Sequence, residues 1–396
     1  MNRMLASISI GGAASATMLM FGSPLTAAAQ PAAQLRRCED SPWLDVNFEA
    51  NRHIRIPVIV NGVHTMGLLD SGASRTVIDA AFARRIGLQT TSGYRAHGVT
   101  DAISGKIARA VSISAGKLEL PPLDAAVMDL GDLARVARQP VDVIIGHELF
   151  LQGIVDLDLP NGRLRITPGG CGAEEMGGVS LPLIRLDSSY AIKVSLEGRP
   201  PAPLALDLGS NVALYFSRDY AERVSLLDGR RISSAASMGA EGVDIAQAVT
   251  VRDIEIAGIF LTRVPALIPA RWKLPAVGVV GLPVLRRFRL QVDFARKKVK
   301  MVADETAAAR SFARDRSGLN AIARDDHLQV LHVAENSPAD RAGLKVGDRI
   351  SLLNGQAVPS ALRSHASPIS HQPEGTKVHL TRADGKTFTL TLADYF

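Results

Sequence analysis

Two stretches of this chain repeat one another in order and in spacing. The first reads Ile56-Pro-Val-Ile-Val-Asn-Gly-Val-His-Thr-Met-Gly-Leu-Leu-Asp70-Ser-Gly-Ala-Ser74. The second reads Ile192-Lys-Val-Ser-Leu-Glu-Gly-Arg-Pro-Pro-Ala-Pro-Leu-Ala-Leu-Asp207-Leu-Gly-Ser210. Each holds a strand of period-2 apolar pattern, a turn (Asn61-Gly62 or Glu197-Gly198), a second strand and then Asp-x-Gly. Downstream, Val143-Ile-Ile-Gly146 follows Asp70 by 76 residues, and Gly278-Val-Val-Gly281 follows Asp207 by 74. Both glycines precede a further aspartate, Asp158 or Asp293, by twelve residues. Two ordered motifs at near-equal spacing predict a duplicated β-domain, and the period is too long for a solenoid.

This predicts a mainly β fold with lobe 1 at 40–170 and lobe 2 at 180–302, joined through the glycine-rich stretch 168–178. Short helices are expected after the first Asp loop (Asp79 to Ile86) and after each apolar-apolar-Gly turn (His147 to Leu151; Pro283 to Phe288). The remaining length, within 396 residues and 46% apolar composition, accommodates a further domain. Residues 303–317 are polar and Ala-rich and are read as a linker or a short connecting helix.

At the N-terminus, Arg3, an apolar run from Met4 to Leu25 and Ala27-Ala28-Ala29 have the layout of a secretory signal peptide at 1–29. The alternative is a retained anchor helix, for which the run is weakly hydrophobic. An exported product, in the periplasm or outside the cell, is the expectation, with no stable membrane span once the signal is removed. Export permits a disulfide between the only two cysteines, Cys38 and Cys171, the alternative being two buried thiols. Such a closure would stabilise the fold by about 4–5 kcal/mol in the chain-entropy model. The formal charge of +6 is spread over basic pairs without interleaved aromatics, which argues against nucleic acid as a partner. His147-Glu148 lacks the second histidine of a zinc-protease helix, and Ser71 and Ser74 are in no nucleophile elbow. No spacing points to a metal, and no cofactor is expected.

Taken singly, Asp-Ser-Gly is a common turn or helix cap. The repeat alters its meaning, since a turn needs no matching Ile-Ile-Gly partner in each half. Leu68-Leu69-Asp70-Ser71-Gly72-Ala73-Ser74 with Ile144-Ile145-Gly146 resembles the aspartic peptidases, and most closely their retropepsin-like branch. The resemblance extends over both lobes and implies two facing β-barrel lobes with one catalytic aspartate each, Asp70 and Asp207. Two carboxylates held close cannot both ionise, so they share a proton and activate one water for attack on a peptide bond. It implies supporting loops Ser71, Gly72, Ala73 and Ser74, and Leu208, Gly209 and Ser210. It also implies a flap hairpin within 94–105 carrying His97 and Gly98, with a counterpart in 237–242. The substrate implied is a peptide or protein.

Lobe 2 departs from the family pattern at Leu208, where a hydroxyl normally bonds across to the other loop. The other reading is therefore a catalytically inactive peptide-binding protein of the same fold. Ala73 has no hydroxyl to brace Asp70, whereas Ser210 is expected to offer one to Asp207. Fewer hydrogen bonds to the ionised form predict activity at mildly acidic pH.

Ser337-Pro-Ala-Asp-Arg-Ala-Gly343-Leu-Lys-Val-Gly347-Asp-Arg-Ile-Ser-Leu-Leu-Asn354-Gly355 is similar to the PDZ domains of bacterial envelope proteases and marks a module at 318–396. The resemblance implies peptide capture by strand addition, with Gly318, Leu319, Asn320 and Ala321 as the loop that binds a C-terminal peptide ligand.

Overall fold

The computed structural model describes residues 41–46, 53–97, 99–100, 102–137, 139–239, 242–359, 361 and 369–396. The expected signal segment 1–29, Cys38 and Gly98 lie outside these residues. The chain is mainly β.

In the first half, the strands Arg55–Val60 and Val63–Leu69 form a hairpin across Asn61-Gly62, where both residues have positive φ (46° and 81°). This is the backbone that a two-residue primed turn requires. Ile56, Val58 and Val60 alternate inward along the first strand and are buried. From Val63–Leu69 the sheet continues through Val143–Ile145, Val77–Asp79, Leu123–Met128, Ala102–Val111 and Thr90–His97. In the second half, Ser189–Leu196 pairs with Ala202–Asp207, and the sheet continues through Gly278–Gly281, Leu214–Phe216, Ile259–Ile268, Gly242–Ile256 and Ser233–Gly239. The two paths have the same order and directions: each aspartate strand lies parallel to its downstream Gly strand.

The expected hairpins are present at both flap positions, Thr90–His97 with Ala102–Val111 and Ser233–Gly239 with Gly242–Ile256. The predicted helices appear at Ala80–Arg85, capped by the Asp79 carboxylate, at His147–Gln152 and at Leu282–Leu285. The expected linker contains one short helix, Glu305–Ala309, capped by Asp304.

The closing hairpins of the two halves do not stay within their own lobes. Gly153–Asp158 pairs antiparallel with Phe288–Asp293, and Arg163–Pro168, Lys298–Ala303, Leu44–Asp45 and Val179–Pro182 complete one shared sheet. Val155, Leu157, Leu290 and Val292 are fully buried in a core common to both halves. Asp156, buried in this sheet, accepts from Arg165 at 2.8 Å and from Gln291 of the other half at 2.8 Å. Cys171, just past the sheet, is disulfide-bonded.

Lobe 2 carries its own ionic anchor at the turn Glu197-Gly198. The Glu197 side chain is buried and paired with Arg230 (2.5 Å), Arg199 (3.1 Å) and Arg252 (3.3 Å). Burial opposes its ionisation, but hydrogen bonds from Arg230, the Arg252 N–H and Arg199 outweigh it and hold the carboxyl at about 2. Glu197→Ala is expected to cost roughly 3–5 kcal/mol in urea unfolding at neutral pH, because buried guanidinium charge loses its partner. With the folded value below the unfolded one, this stabilisation is full above the ordinary glutamate value of 4.5 and is lost as pH falls towards 2.

The C-terminal module has the sheet order Leu319–Ala323, Leu328–Val333, Arg349–Leu353, Lys377–Arg382, Thr387–Thr391. Ser337 caps the helix Pro338–Arg341, as its motif predicts. Among the described residues, no helix is long and apolar enough to cross a membrane.

Candidate active site

Asp70 and Asp207 end equivalent strands, and the fold brings them together. They are 2% and 4% exposed, and their carboxyl groups are hydrogen-bonded to one another. Each loop turns back onto its own carboxylate. The N–H groups of Gly72 and Ala73 donate to Asp70 Oδ1 at 2.8 and 3.0 Å. The N–H of Gly209 donates to Asp207 Oδ1 at 2.8 Å, and that of Ser210 also holds Asp207.

Burial, and then the neighbouring Asp207 charge, push Asp70 well above the ordinary carboxylate range despite its two backbone donors. Burial likewise raises Asp207, to about 6, against the lowering by Gly209 N–H, the Asp70 carboxyl and Ser210 N–H. The pair thus retains a proton through mildly acidic pH, and that proton belongs to the pair.

The glycines downstream explain how the loops are supported. A Cβ on Gly146 would lie 2.6 Å from the Arg75 carbonyl carbon and 2.7 Å from the Ala73 carbonyl oxygen. At Gly281 it would collide with the Val212 carbonyl, and it would lie 3.0 Å from that of Ser210. The residue after each glycine then binds its loop: His147 N–H to Ala73 C=O at 2.9 Å, and Leu282 N–H to Ser210 C=O at 2.8 Å. Gly209 approaches so closely that a Cβ there would overlap the Asp70 carboxyl group.

Between the loops, Ser71 makes a two-sided bridge. Its hydroxyl donates to the Leu206 carbonyl at 2.8 Å and accepts from Leu208 N–H at 2.9 Å. Leu208 returns nothing polar but is fully buried in the main core. Half of the expected hydroxyl network therefore survives, and the other half is replaced by apolar contact. Ser71→Ala would strand a buried C=O and N–H, and is expected to lower stability by about 2–4 kcal/mol in urea unfolding.

The Ser210 hydroxyl differs from expectation. It pairs with the Val212 backbone (3.3 and 3.4 Å), and the Ser210 N–H holds Asp207 instead. The loop is tight enough for the backbone to reach the carboxylate, which leaves the side chain to close the turn. Ser74 is half-buried at the end of its loop.

Several supporting residues were missed from the sequence. Glu148 accepts from Thr76 N–H (3.0 Å) and the Thr76 hydroxyl (2.9 Å), and Thr76 Oγ1 accepts from Gly146 N–H at 3.2 Å. His147 Nε2 lies 3.0 Å from the Ser71 carbonyl, and the Asn211 amide nitrogen lies 3.1 Å from His53 Nε2. The dipeptide His147-Glu148 after the Gly was the available signal, but the zinc motif was the wrong test for it.

Above the site, Val99 beside the lobe 1 flap is buried and its carbonyl accepts from Lys273 N–H of lobe 2 at 2.9 Å. The lobe 2 flap strand is held by the C-terminal module. Asn320 Oδ1 accepts from Ala236 N–H at 3.1 Å, its Nδ2 donates to Ala236 C=O at 3.4 Å, and His332 Nε2 lies 3.0 Å from the Ser234 hydroxyl. Leu319, Asn320 and Ala321 are in a strand. The N–H groups of Gly318 and Leu319 already donate to Asp315 (2.8 Å) and Ser317 (3.0 Å).

Residues 56–149 match the family model described as aspartyl protease, and residues 329–382 match that of the PDZ domain. Together the two matches are those that a retropepsin-like aspartyl protease with a C-terminal PDZ domain would give. The first match contains Asp70 and Gly146; Asp207 and Gly281 lie beyond it. No curated protein matches the chain.

Proposed function

We propose that the chain is an exported aspartic endopeptidase with duplicated lobes, whose catalytic groups are Asp70 and Asp207. One observation carries this reading: two carboxyl groups at equivalent strand ends are buried together, the loop of one so close to the other that a Cβ on Gly209 would overlap the Asp70 carboxyl. That pairing weakens the structure unless it is used, since buried like charges oppose folding.

In the reaction, water held between the carboxyls gives a proton to the ionised member, Asp207, as its oxygen bonds to the scissile carbonyl carbon. Asp70 gives its proton to the carbonyl oxygen, forming a gem-diol. When the C–N bond breaks, the amine takes the proton from Asp207, and a diol hydroxyl returns one to Asp70. Ser71, Gly72, Ala73, Leu208, Gly209 and Ser210 hold the two loops in register. The PDZ domain, seated on the lobe 2 flap strand, would bring a peptide strand or C-terminus to the cleft. The occupied donors at Gly318 and Leu319 favour strand addition over carboxylate capture at those two groups.

The test uses residues 30–396 with a denatured protein from about pH 4 to about pH 7. Cleavage is expected to peak on the mildly acidic side, and Asp70→Asn and Asp207→Asn should each reduce it by about 1000-fold or more. Full activity of Asp207→Asn would remove lobe 2 from the chemistry. An inactive peptide-binding protein, favoured only by Leu208, predicts no cleavage by the wild type.

A further inference from the structure

The Asp70 carboxylate is held by a peptide N–H, and the carbonyl of that same peptide unit meets a histidine. The Gly72 N–H that donates to Asp70 belongs to the peptide whose other end is the Ser71 carbonyl. That carbonyl faces His147 Nε2 at 3.0 Å. A carbonyl oxygen only accepts, so the histidine is the donor. Donation to a peptide C=O polarises the amide and strengthens its N–H as a donor, so the two bonds reinforce one another.

His147 is buried, edge-on to Tyr190 (5.3 Å between centroids) and Phe294 (5.1 Å), both from the second half of the chain.

We propose that His147 is a positioning residue that holds the Asp70 carboxylate through a single peptide unit. This inference rests on the protease reading for its catalytic consequence, but not for its geometry. Burial keeps the ring neutral to about 4, helped by the charge of Arg185. It therefore acts as a neutral donor throughout the range in which the dyad holds one proton. Loss of the donor weakens the ionised form of Asp70 and raises its proton affinity.

The experiment compares wild type with His147→Leu and His147→Gln in kcat and kcat/KM pH profiles. The 13C carboxyl titrations of Asp70 and Asp207 are followed in parallel. His147→Leu should raise the Asp70 titration, and with it a limb of the profile, by about half a pH unit or more. The Leu variant should lose about 5–10-fold in kcat with KM nearly unchanged, and the Gln variant, which keeps an N–H donor, should recover most of it. Unmoved limbs and carboxyl titrations in the Leu variant overturn the proposal. If the wild type shows no aspartate-dependent cleavage, the protease reading falls, and the carboxyl titrations alone decide the histidine's role. If the Leu variant does not fold, the wild-type 15N histidine spectrum decides. A neutral His147 protonated at Nε2 near about pH 5.5 is required, and a cationic ring or the other tautomer overturns it.

Discussion

Gly209→Ala is expected to abolish cleavage while Gly198→Ala, at an open turn of the same lobe, leaves it largely intact. The difference lies in what each added Cβ meets. At Gly198 nothing lies within 4 Å, although φ is 73° and the substitution carries a modest backbone strain. At Gly209 the methyl group would occupy the space of the Asp70 carboxyl carbon and both its oxygens. Neither partner can yield cheaply. Asp70 is pinned by Gly72 and Ala73 N–H groups, and Gly209 is pinned by its own N–H to Asp207. The collision therefore separates the two carboxyls or rotates one of them. Displacement by about 1 Å at the reacting groups is enough for losses of roughly 100-fold, and loss of the shared proton adds to that. Peptide cleavage assays on the two variants, with circular dichroism to confirm folding, check the expectation. Substantial activity in Gly209→Ala would mean that the close approach of the loops is not used in catalysis.

The parts of this architecture that were readable from sequence are those in which a few adjacent residues decide the backbone. Asn61-Gly62, Glu197-Gly198 and Asn354-Gly355 all adopt the positive φ pairs of tight hairpins, and each was legible as a dipeptide. The Ser337 cap follows the same local chemistry. Asp70 and Asp207 were found because two local motifs recurred together. The shared sheet was hidden because an antiparallel match such as Leu157 with Leu290 is a pairing across more than a hundred residues. Nothing in an apolar strand states which lobe it will complete. His147 was hidden for a related reason: a histidine that serves a distant backbone carbonyl leaves no spacing pattern. Ser210 shows the reverse failure, where the right residue type stood at the right position and the tight turn took its hydroxyl.

The link between domains also depends on such long-range chemistry. Asn320 presents an amide to the edge of the lobe 2 flap strand, satisfying both the N–H and the C=O of Ala236. An exposed strand edge otherwise invites pairing with another chain. Arg314, Arg316 and Arg263 converge on Asp394 near the end of the PDZ domain and tie it to the lobe 2 sheet, with Arg314 also donating to Thr250 at 2.7 Å. The strand Ser233–Gly239 and the PDZ domain are thus mechanically joined.

Asp207→Asn should make the protein more stable at pH 7 even as it removes activity. The folded carboxyl is raised from 3.8 to about 6, so at neutral pH the native state must hold an ionised group that burial disfavours. Native protein binds more protons than unfolded protein between these two values, and wild-type stability therefore rises as pH falls through about 6 towards 3.8. At about 1.4 kcal/mol per pH unit, the penalty at neutral pH is on the order of 3 kcal/mol. Asparagine removes the charge and its Oδ1 can still accept from Gly209 N–H, so a gain of about 2–3 kcal/mol is expected at pH 7. The advantage should shrink to near zero by about pH 4, where the wild-type carboxyl is already protonated. His53 and His147, lowered from 6.5 to about 4, act in the opposite direction and cost stability as pH falls from 6.5 to about 4. They are common to both proteins and cancel in the comparison. Urea midpoints of wild type and Asp207→Asn across this range measure the effect directly. Equal stability at pH 7 would mean that the two carboxyls are not held against their own repulsion, and the shared proton on which the proposed chemistry turns would have no structural basis.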